Sequence, residues 1–137
     1  MKRLFIGILL ALSLAAGSRA AEQPNLPTNF DMVMLAGADY LLTIQVKDNL
    51  GALLTLSTNT YKAQFRSTTY PVGTVFANFS TIPRPGFTTI LDVKLSKAQT
   101  AALTGRSGVW DLKQTAPTGF VSYIMSGKAF VRPTVTQ

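Results

Sequence analysis

The chain has 137 residues, of which 47% are hydrophobic and 14% are charged, a composition typical of one folded domain. It contains no cysteine and no histidine, which excludes disulfides, thiolate chemistry, histidine-dependent nucleophile activation and most zinc sites. Its six acidic residues are scattered, so we expect neither a metal nor a cofactor.

The formal net charge of +7 is divided between the first 20 residues and the rest of the chain. Lys2, Arg3 and Arg19 belong to the first part, which leaves 10 basic and 6 acidic residues, a net charge of +4, in residues 21–137. These basic residues occur singly, whereas binding along a phosphate backbone favours a concentrated stripe. We therefore do not expect nucleic acid to be the main partner.

Residues 1–20 have the features of a signal peptide. A basic start precedes a nearly continuous apolar run over residues 4–16, and small residues at Ser18 and Ala20 suit cleavage before Ala21. The run is short for a membrane span, so contact with a membrane would be transient. The alternatives are an apolar segment that is retained and packs against a partner, or an upstream start codon that is not used.

Residues 21–28, with Pro24 and Pro27, cannot continue a helix and are predicted to be a linker. The folded domain is then residues 29–137. Its clearest strand is residues 39–47, because the apolar side chains at 40, 42, 44 and 46 fall on one face. Residues 48–51 end this strand with the residue types of a tight turn.

The middle of the chain alternates between strand and turn patterns. Further strands are predicted at residues 60–66, 74–79 and 87–95, and residues 53–56 are predicted to be a short strand or a packed loop. Residues 67–73, which include Tyr70, are predicted to be a loop. Residues 82–86 contain two prolines and a glycine and are predicted to be a rigid connection.

The last third of the chain predicts one short helix and a hairpin. Ser96 is a plausible N-cap for a helix over residues 96–103, which Gly105 would end. Strands at residues 109–112 and 120–125 flank a Pro/Gly turn, and Gly127 is predicted to be a bend before a final strand over residues 129–136. Trp110 shares a face with Leu112 and is predicted to anchor the core.

Regular short strands separated by Gly/Pro turns predict an all-β domain. We expect an antiparallel immunoglobulin-like β-sandwich of about seven or eight strands with one short helix, because roughly 100 residues is the usual length of that fold.

The sequence offers no clear catalytic arrangement. Ser96 and Lys97 are adjacent, so their side chains diverge on a helix or strand. Asp92 and Asp111 could face one another across strands, but a carboxylate on the wet face of a strand is ordinarily solvated. Residues 105–108 are glycine-rich but lack the phosphate-loop signature. We therefore predict that the protein is not an enzyme.

Six segments, taken in order and spacing, carry a family resemblance: residues 30–34 with 37–40, 41–46 with 47–51, 61–66, 95–96 with 98–103, 110–112 and 127–136. Together they resemble a small β-sandwich domain of tailed-phage structural proteins, related to the N-terminal domain of baseplate upper proteins and to fibre-attachment modules. The resemblance covers residues 30–136 and implies an immunoglobulin-like fold.

The resemblance also implies a function. It implies a non-enzymatic structural or adaptor protein of a bacteriophage virion, in the tail, baseplate or neck, bound to other virion proteins and to copies of itself. The alternative is an exported β-sandwich binding module, periplasmic or secreted after cleavage following Ala20. In the structural interpretation, the contacts would come from an exposed sheet edge or from the loops that contain Tyr70 and Arg84.

Overall fold

The computed structural model describes residues 27–47, 50–68 and 73–135, so the predicted signal segment lies outside the described ranges. Within them are eight strands and one short helix. The strands are β1 (Thr28–Asn29), β2 (Met32–Leu35), β3 (Tyr40–Gln45), β4 (Thr60–Arg66), β5 (Val75–Pro83), β6 (Ile90–Leu95), β7 (Ser107–Thr115) and β8 (Val121–Arg132); the helix, α1, is Lys97–Ala102. The prediction of an all-β domain with one short helix is confirmed.

The strands form one curled sheet, a half-barrel. Their order is β1-β8-β7-β4-β5-β6-β3. β2 also pairs with β8, farther along that strand than β1 does. Pairs between β1 or β2 and β8 are parallel, and all the other strand pairs in the described ranges are antiparallel. The sheet is therefore mixed rather than antiparallel throughout.

Apolar alternation positions the strands over the core as predicted. In β4, Ala63 and Phe65 are buried while Lys62 is exposed, and in β3 Ile44 is buried between exposed Thr43 and Gln45. Side chains at every second position of a strand share a face, so this pattern fixes which face turns inward.

β5 is longer than the strand predicted at residues 74–79. Its first half pairs with β4 and its second half with β6, so it joins two parts of the sheet. We call them the large part (β1, β2, β8, β7, β4 and residues 75–79) and the small part (β3, β6 and residues 80–83).

The connection predicted over residues 82–86 is shorter than expected, since Ile82 and Pro83 end β5. Arg84 N–H donates to the Ile90 carbonyl at 2.9 Å, so the backbone nitrogen of Pro83 faces away from β6 and no ladder bond is lost there. The next strand was predicted from residue 87, but Phe87 N–H bonds to the Arg84 carbonyl in a turn, and β6 begins at Ile90.

The predicted helix is confirmed as α1. The Ser96 hydroxyl accepts a hydrogen bond from Gln99 N–H, and the Gln99 side chain accepts one from Ser96 N–H, which forms a capping box. Thr100 is fully buried and connects the helix to the chain after β2. Its hydroxyl donates to the Ala38 carbonyl at 2.7 Å and accepts from Gly37 N–H at 3.1 Å.

β7 and β8 form the predicted hairpin, but β8 is not interrupted at Gly127. It continues to Arg132, so the predicted separate final strand is the second half of β8. Gly127 instead allows another backbone segment to approach, because a Cβ at this position would lie 2.1 Å from the Phe30 carbonyl oxygen.

Trp110 anchors the core as predicted, with 2% of its surface exposed, and Leu112 beside it is fully buried. The indole Nε1–H donates to the Phe30 carbonyl at 2.7 Å. The indole also makes edge-on contacts with the rings of Phe30 and Phe79. One side chain thus links β7, β5 and the chain between β1 and β2.

Among the described residues, no helix has the length and apolar character needed to cross a membrane.

Candidate interaction site

β3 lies at one end of the sheet, and among the described strands it pairs only with β6. The bond from Arg84 N–H to the Ile90 carbonyl shows that even-numbered residues of β6 direct their backbone groups toward β5. Odd-numbered residues of β6 therefore bond to β3, and their partners are the even-numbered residues of β3. The odd-numbered residues of β3 then direct their backbone groups away from the sheet. These outward groups, which we call the β3 edge, belong to Leu41, Thr43 and Gln45.

The β3 edge lacks the features that usually prevent edge-to-edge pairing. Residues 40–45 include no charged residue, proline or glycine, and their register with β6 has no bulge. The side chain of Leu41 is 54% exposed. Edge strands of natural proteins ordinarily carry charges, prolines or bulges that block an added strand. The β3 edge is therefore a template for another strand.

A polar cluster lies on the outer face of the small part, beside the β3 edge. Arg84 donates from Nε and Nη2 to the two carboxylate oxygens of Asp92, at 3.0 and 2.8 Å. Thr43 donates to Asp92 Oδ1 at 3.2 Å. The Asp92 side chain is 9% exposed and that of Arg84 is 34% exposed. Arg84 thus combines a fixed position with an accessible surface.

Hydrogen bonding from Arg84 holds the pKa of Asp92 below its usual value, and the same bond raises the pKa of Arg84. Asp92 accepts both of the bonds from Arg84 and thereby orients Arg84, which was predicted to bind a partner.

An open cleft of about 500 Å³ separates β3 from the region around β1. Its lining includes Phe30 on one side, Leu42, Ile44 and Val46 on the other, and Met125 from β8. Leu42, Val46 and Met125 pack partly against the core. β1 does not cover the β3 edge, and apolar side chains of an added strand would find an apolar wall.

A second open cleft, of about 620 Å³, lies on the outer face of the large part. Asp111 and Tyr123 line both this cleft and an adjoining one of about 220 Å³, to which Lys62, Arg66 and Lys113 contribute. Burial raises the pKa of Asp111, while these three cations act in the opposite direction. Asp111 thus lies among the cations of this sheet face, and burial outweighs their effect on its pKa.

The structure separates the two carboxylates that the sequence left as a possible pair. Asp92 lies on β6 and Asp111 on β7, with β4 and β5 between them in the sheet order. Asp92 is bonded to Arg84, whereas Asp111 is surrounded by the cations of the large part. Paired-carboxylate chemistry is thus contradicted by the topology.

The other sequence candidates have structural roles or lie outside the described ranges. Tyr70 is outside them, so its predicted role in partner binding stays a prediction. The Ser96 hydroxyl is engaged in the capping box. Gly105 has a φ of +75° and forms the turn before β7 rather than a phosphate loop. The described residues contain no group of acidic side chains able to hold a metal ion.

Comparison with known proteins identifies no relative, because no protein-family model and no curated protein matches the chain. The sequence predicts an exposed sheet edge only in general terms and does not identify β3. The available signal was the absence of charge, proline and glycine from residues 40–45.

Proposed function

We propose that this protein is a non-enzymatic structural or adaptor component that acts by protein–protein assembly, and that the β3 edge is its contact. The observation that carries the proposal is an edge that no other described strand covers, whose outward N–H and C=O groups belong to an uncharged, unbulged strand. Strand addition satisfies such groups and adds affinity through main-chain hydrogen bonds. Arg84, beside the edge, supplies an oriented charge at the rim of the contact.

We further propose that the two parts of the sheet are the two layers of an immunoglobulin-like sandwich. In that fold, strands B, E and D are neighbours in one sheet and C, F and G in the other. Here β3, β6 and the second half of β5 are neighbours in the small part, and β4, β7 and β8 are neighbours in the large part. The order supports the proposal, and a measurement of the spacing between the two parts, about 10 Å for packed sheets, tests it.

The assembly that we propose is a bacteriophage virion, in its tail, baseplate or neck. The support is the ordered set of resembling segments from residues 30 to 136 together with the uncovered edge. Purified particles are expected to contain the protein at fixed stoichiometry with its partners. Its absence from particles would remove the virion proposal and leave strand addition at β3 as a separate question.

A second candidate is an exported binding module in the periplasm or the surrounding medium, which the apolar run over residues 4–16 favours. N-terminal sequencing of the mature protein separates the two proposals. A start at Ala21 supports export, and an intact Met1 supports assembly in the cytoplasm.

A proline substitution tests the edge itself. Gln45→Pro removes an outward N–H that bonds to no strand, so the domain should fold while assembly is lost. Ile44→Pro is the matched control, because it removes a bond to β6 at the adjacent position and should unfold the domain. Assembly is measured by sizing and particle incorporation, and folding by circular dichroism. Normal assembly of folded Gln45→Pro would contradict the use of this edge.

Alanine substitutions test the two loop residues predicted to bind a partner. Arg84→Ala and Tyr70→Ala should each weaken incorporation into particles with little loss of folding. Normal incorporation of both variants would confine the contact to the backbone of β3.

A further inference from the structure

We propose that a second copy of this chain adds to the β3 edge in antiparallel orientation, about a two-fold axis at Thr43. Two half-barrels then share one continuous sheet. This inference rests on the proposed function, because it names the partner that occupies the same edge and the register in which it binds.

The hydrogen-bonding pattern limits the possible registers. Outward backbone groups belong to odd-numbered residues, so odd-numbered residues of one copy must lie opposite odd-numbered residues of the other. This condition also keeps the buried faces of both copies on the same side of the shared sheet. In the register centred on Thr43, the Thr43 residues of the two copies lie opposite each other, and Leu41 lies opposite Gln45 of the second copy.

Charge complementarity selects this register from those that remain. An axis at Thr43 places Asp39 of each copy opposite Lys47 of the other, so two ion pairs close the ends of the contact. Both residues are exposed, and neither forms an ion pair within the described ranges. Moving the axis to Ile44 places Lys47 opposite Leu41, and moving it to Leu42 places Lys47 opposite Gly37, so both ion pairs are lost in either case.

The remaining side chains also match their counterparts. On the inner face, Leu42 would lie opposite Ile44 of the second copy and Tyr40 opposite Val46, which extends the apolar wall of the 500 Å³ cleft. On the outer face, Leu41, Thr43 and Gln45 of the second copy would form a neighbouring row that covers the exposed surface of Leu41. Cross-strand apolar pairs stabilise a sheet, and no residues of like charge lie directly opposite each other along the two β3 strands.

Single cysteines test the register directly, because the chain has no cysteine of its own. Directly opposed residues of a hydrogen-bonded pair have Cα atoms about 5.5 Å apart, within the range of a disulfide. Thr43→Cys is therefore expected to form a covalent dimer under mild oxidation. Leu41→Cys and Gln45→Cys are matched controls from the same edge. Each alone should stay uncrosslinked, and a mixture of the two should yield their heterodimer.

Charge reversal tests the ion pairs. Lys47→Glu alone and Asp39→Lys alone should each weaken self-association, by roughly tenfold in Kd for two exposed pairs. An equimolar mixture should restore association, since the heterodimer regains both opposite-charge pairs. Asp39 also accepts a hydrogen bond from Lys97 N–H at 2.8 Å, so the unfolding temperature of each variant is recorded. The cysteine experiment does not involve Asp39 and decides the register if that variant is unstable.

The outcomes separate this inference from the proposed function. The register is supported if Thr43→Cys crosslinks while Leu41→Cys alone and Gln45→Cys alone do not. Crosslinking of Leu41→Cys or Gln45→Cys alone overturns it, and so does a lack of rescue when the two folded charge variants are mixed. A chain that stays monomeric at every concentration, yet loses binding to other particle proteins through Gln45→Pro, overturns the second copy and retains the β3 edge.

Discussion

The two ends of the curled sheet are built in opposite ways. At one end, β1 and β2 pair with β8 one after the other, and the pairing is interrupted between them. There the Asp31 side chain replaces a backbone acceptor and accepts a hydrogen bond from Lys128 N–H at 2.8 Å. At the other end, β3 runs for six residues without interruption. The interrupted end is fixed by side chains, whereas the β3 end offers a regular row of backbone groups.

The chain that follows each edge strand strengthens the contrast. After β2, Thr100 of α1 bonds to Gly37 and Ala38, so a helix packs at that end of the strand. Along β3, the neighbouring feature on the free side is an open cleft. Within the part of the chain that the structure describes, protection against unwanted pairing is thus present at one end and missing at the other, as expected if the second end has a partner.

Trp110→Ala should have the largest effect on the interrupted end. It removes a large core side chain and leaves the Phe30 carbonyl without its indole donor, so the free energy of unfolding should fall by about 3–5 kcal/mol. Urea denaturation followed by circular dichroism measures the change. A loss well below 1 kcal/mol would show that the indole does not hold the Phe30 segment.

Gly127→Ala should affect the same end by a smaller amount. The new Cβ would lie 2.1 Å from the Phe30 carbonyl oxygen, so that backbone must move away from β8. Overpacking of this kind costs about 1–3 kcal/mol. Ser126→Ala is the neighbouring control and should change stability by less than about 0.5 kcal/mol. Equal effects of the two substitutions would contradict the close approach.

At the β3 end, Gln45→Pro should cost less than about 1 kcal/mol in the isolated domain, because an exposed side chain and an outward N–H are all that change. Amide hydrogen exchange sharpens the contrast within the strand. In the monomer, the amides of Leu41, Thr43 and Gln45 should exchange faster than those of Leu42 and Ile44. Protection of both sets in a monomer would show that something else covers the edge.

Two carboxylates predict pH effects of opposite sign. Hydrogen bonding from Arg84 lowers the folded-state pKa of Asp92 below its value in the unfolded chain, so its stabilising contribution is present above the unfolded pKa and is lost as the pH falls through the folded pKa. Burial raises the folded-state pKa of Asp111 above its value in the unfolded chain, so the stability from this group falls as the pH rises from the unfolded to the folded pKa.

Asparagine substitutions measured across the acid range test these signs. Asp92→Asn should lower the free energy of unfolding at neutral pH, with a difference that shrinks as the pH falls. Asp111→Asn should leave stability at neutral pH unchanged or slightly higher. A deficit of Asp92→Asn that stays constant over the whole range would exclude the ion pair with Arg84 as its source.

Local patterns predicted much of the fold because their causes are local. Alternation in β3 and β4 specified their buried faces, Ser96 specified the start of α1, and the Pro/Gly turn specified the β7–β8 hairpin. Trp110 was correctly predicted to be in the core, since it shares a face with Leu112. Each of these features depends on residues that are close together in the sequence.

Features that depend on distant backbone segments were mispredicted or missed. Gly127 looks like a bend until the Phe30 carbonyl is seen to lie against it, and these residues are far apart in the sequence. The parallel pairing of β2 with β8 joins the two ends of the domain. The ion pair of Arg84 with Asp92 was also missed. Pro83 was predicted to belong to a loop, whereas it ends β5 and places Arg84 beside β6.

The sequence alone predicted strands with one buried face over residues 39–47 and 60–66, because alternation with a period of two needs no knowledge of neighbours. It did not determine which strand would be interior. β4 has partners on both sides, whereas β3 has one among the described strands. Tertiary structure decided this difference, because a strand becomes an edge only through the long-range pairings of the other strands.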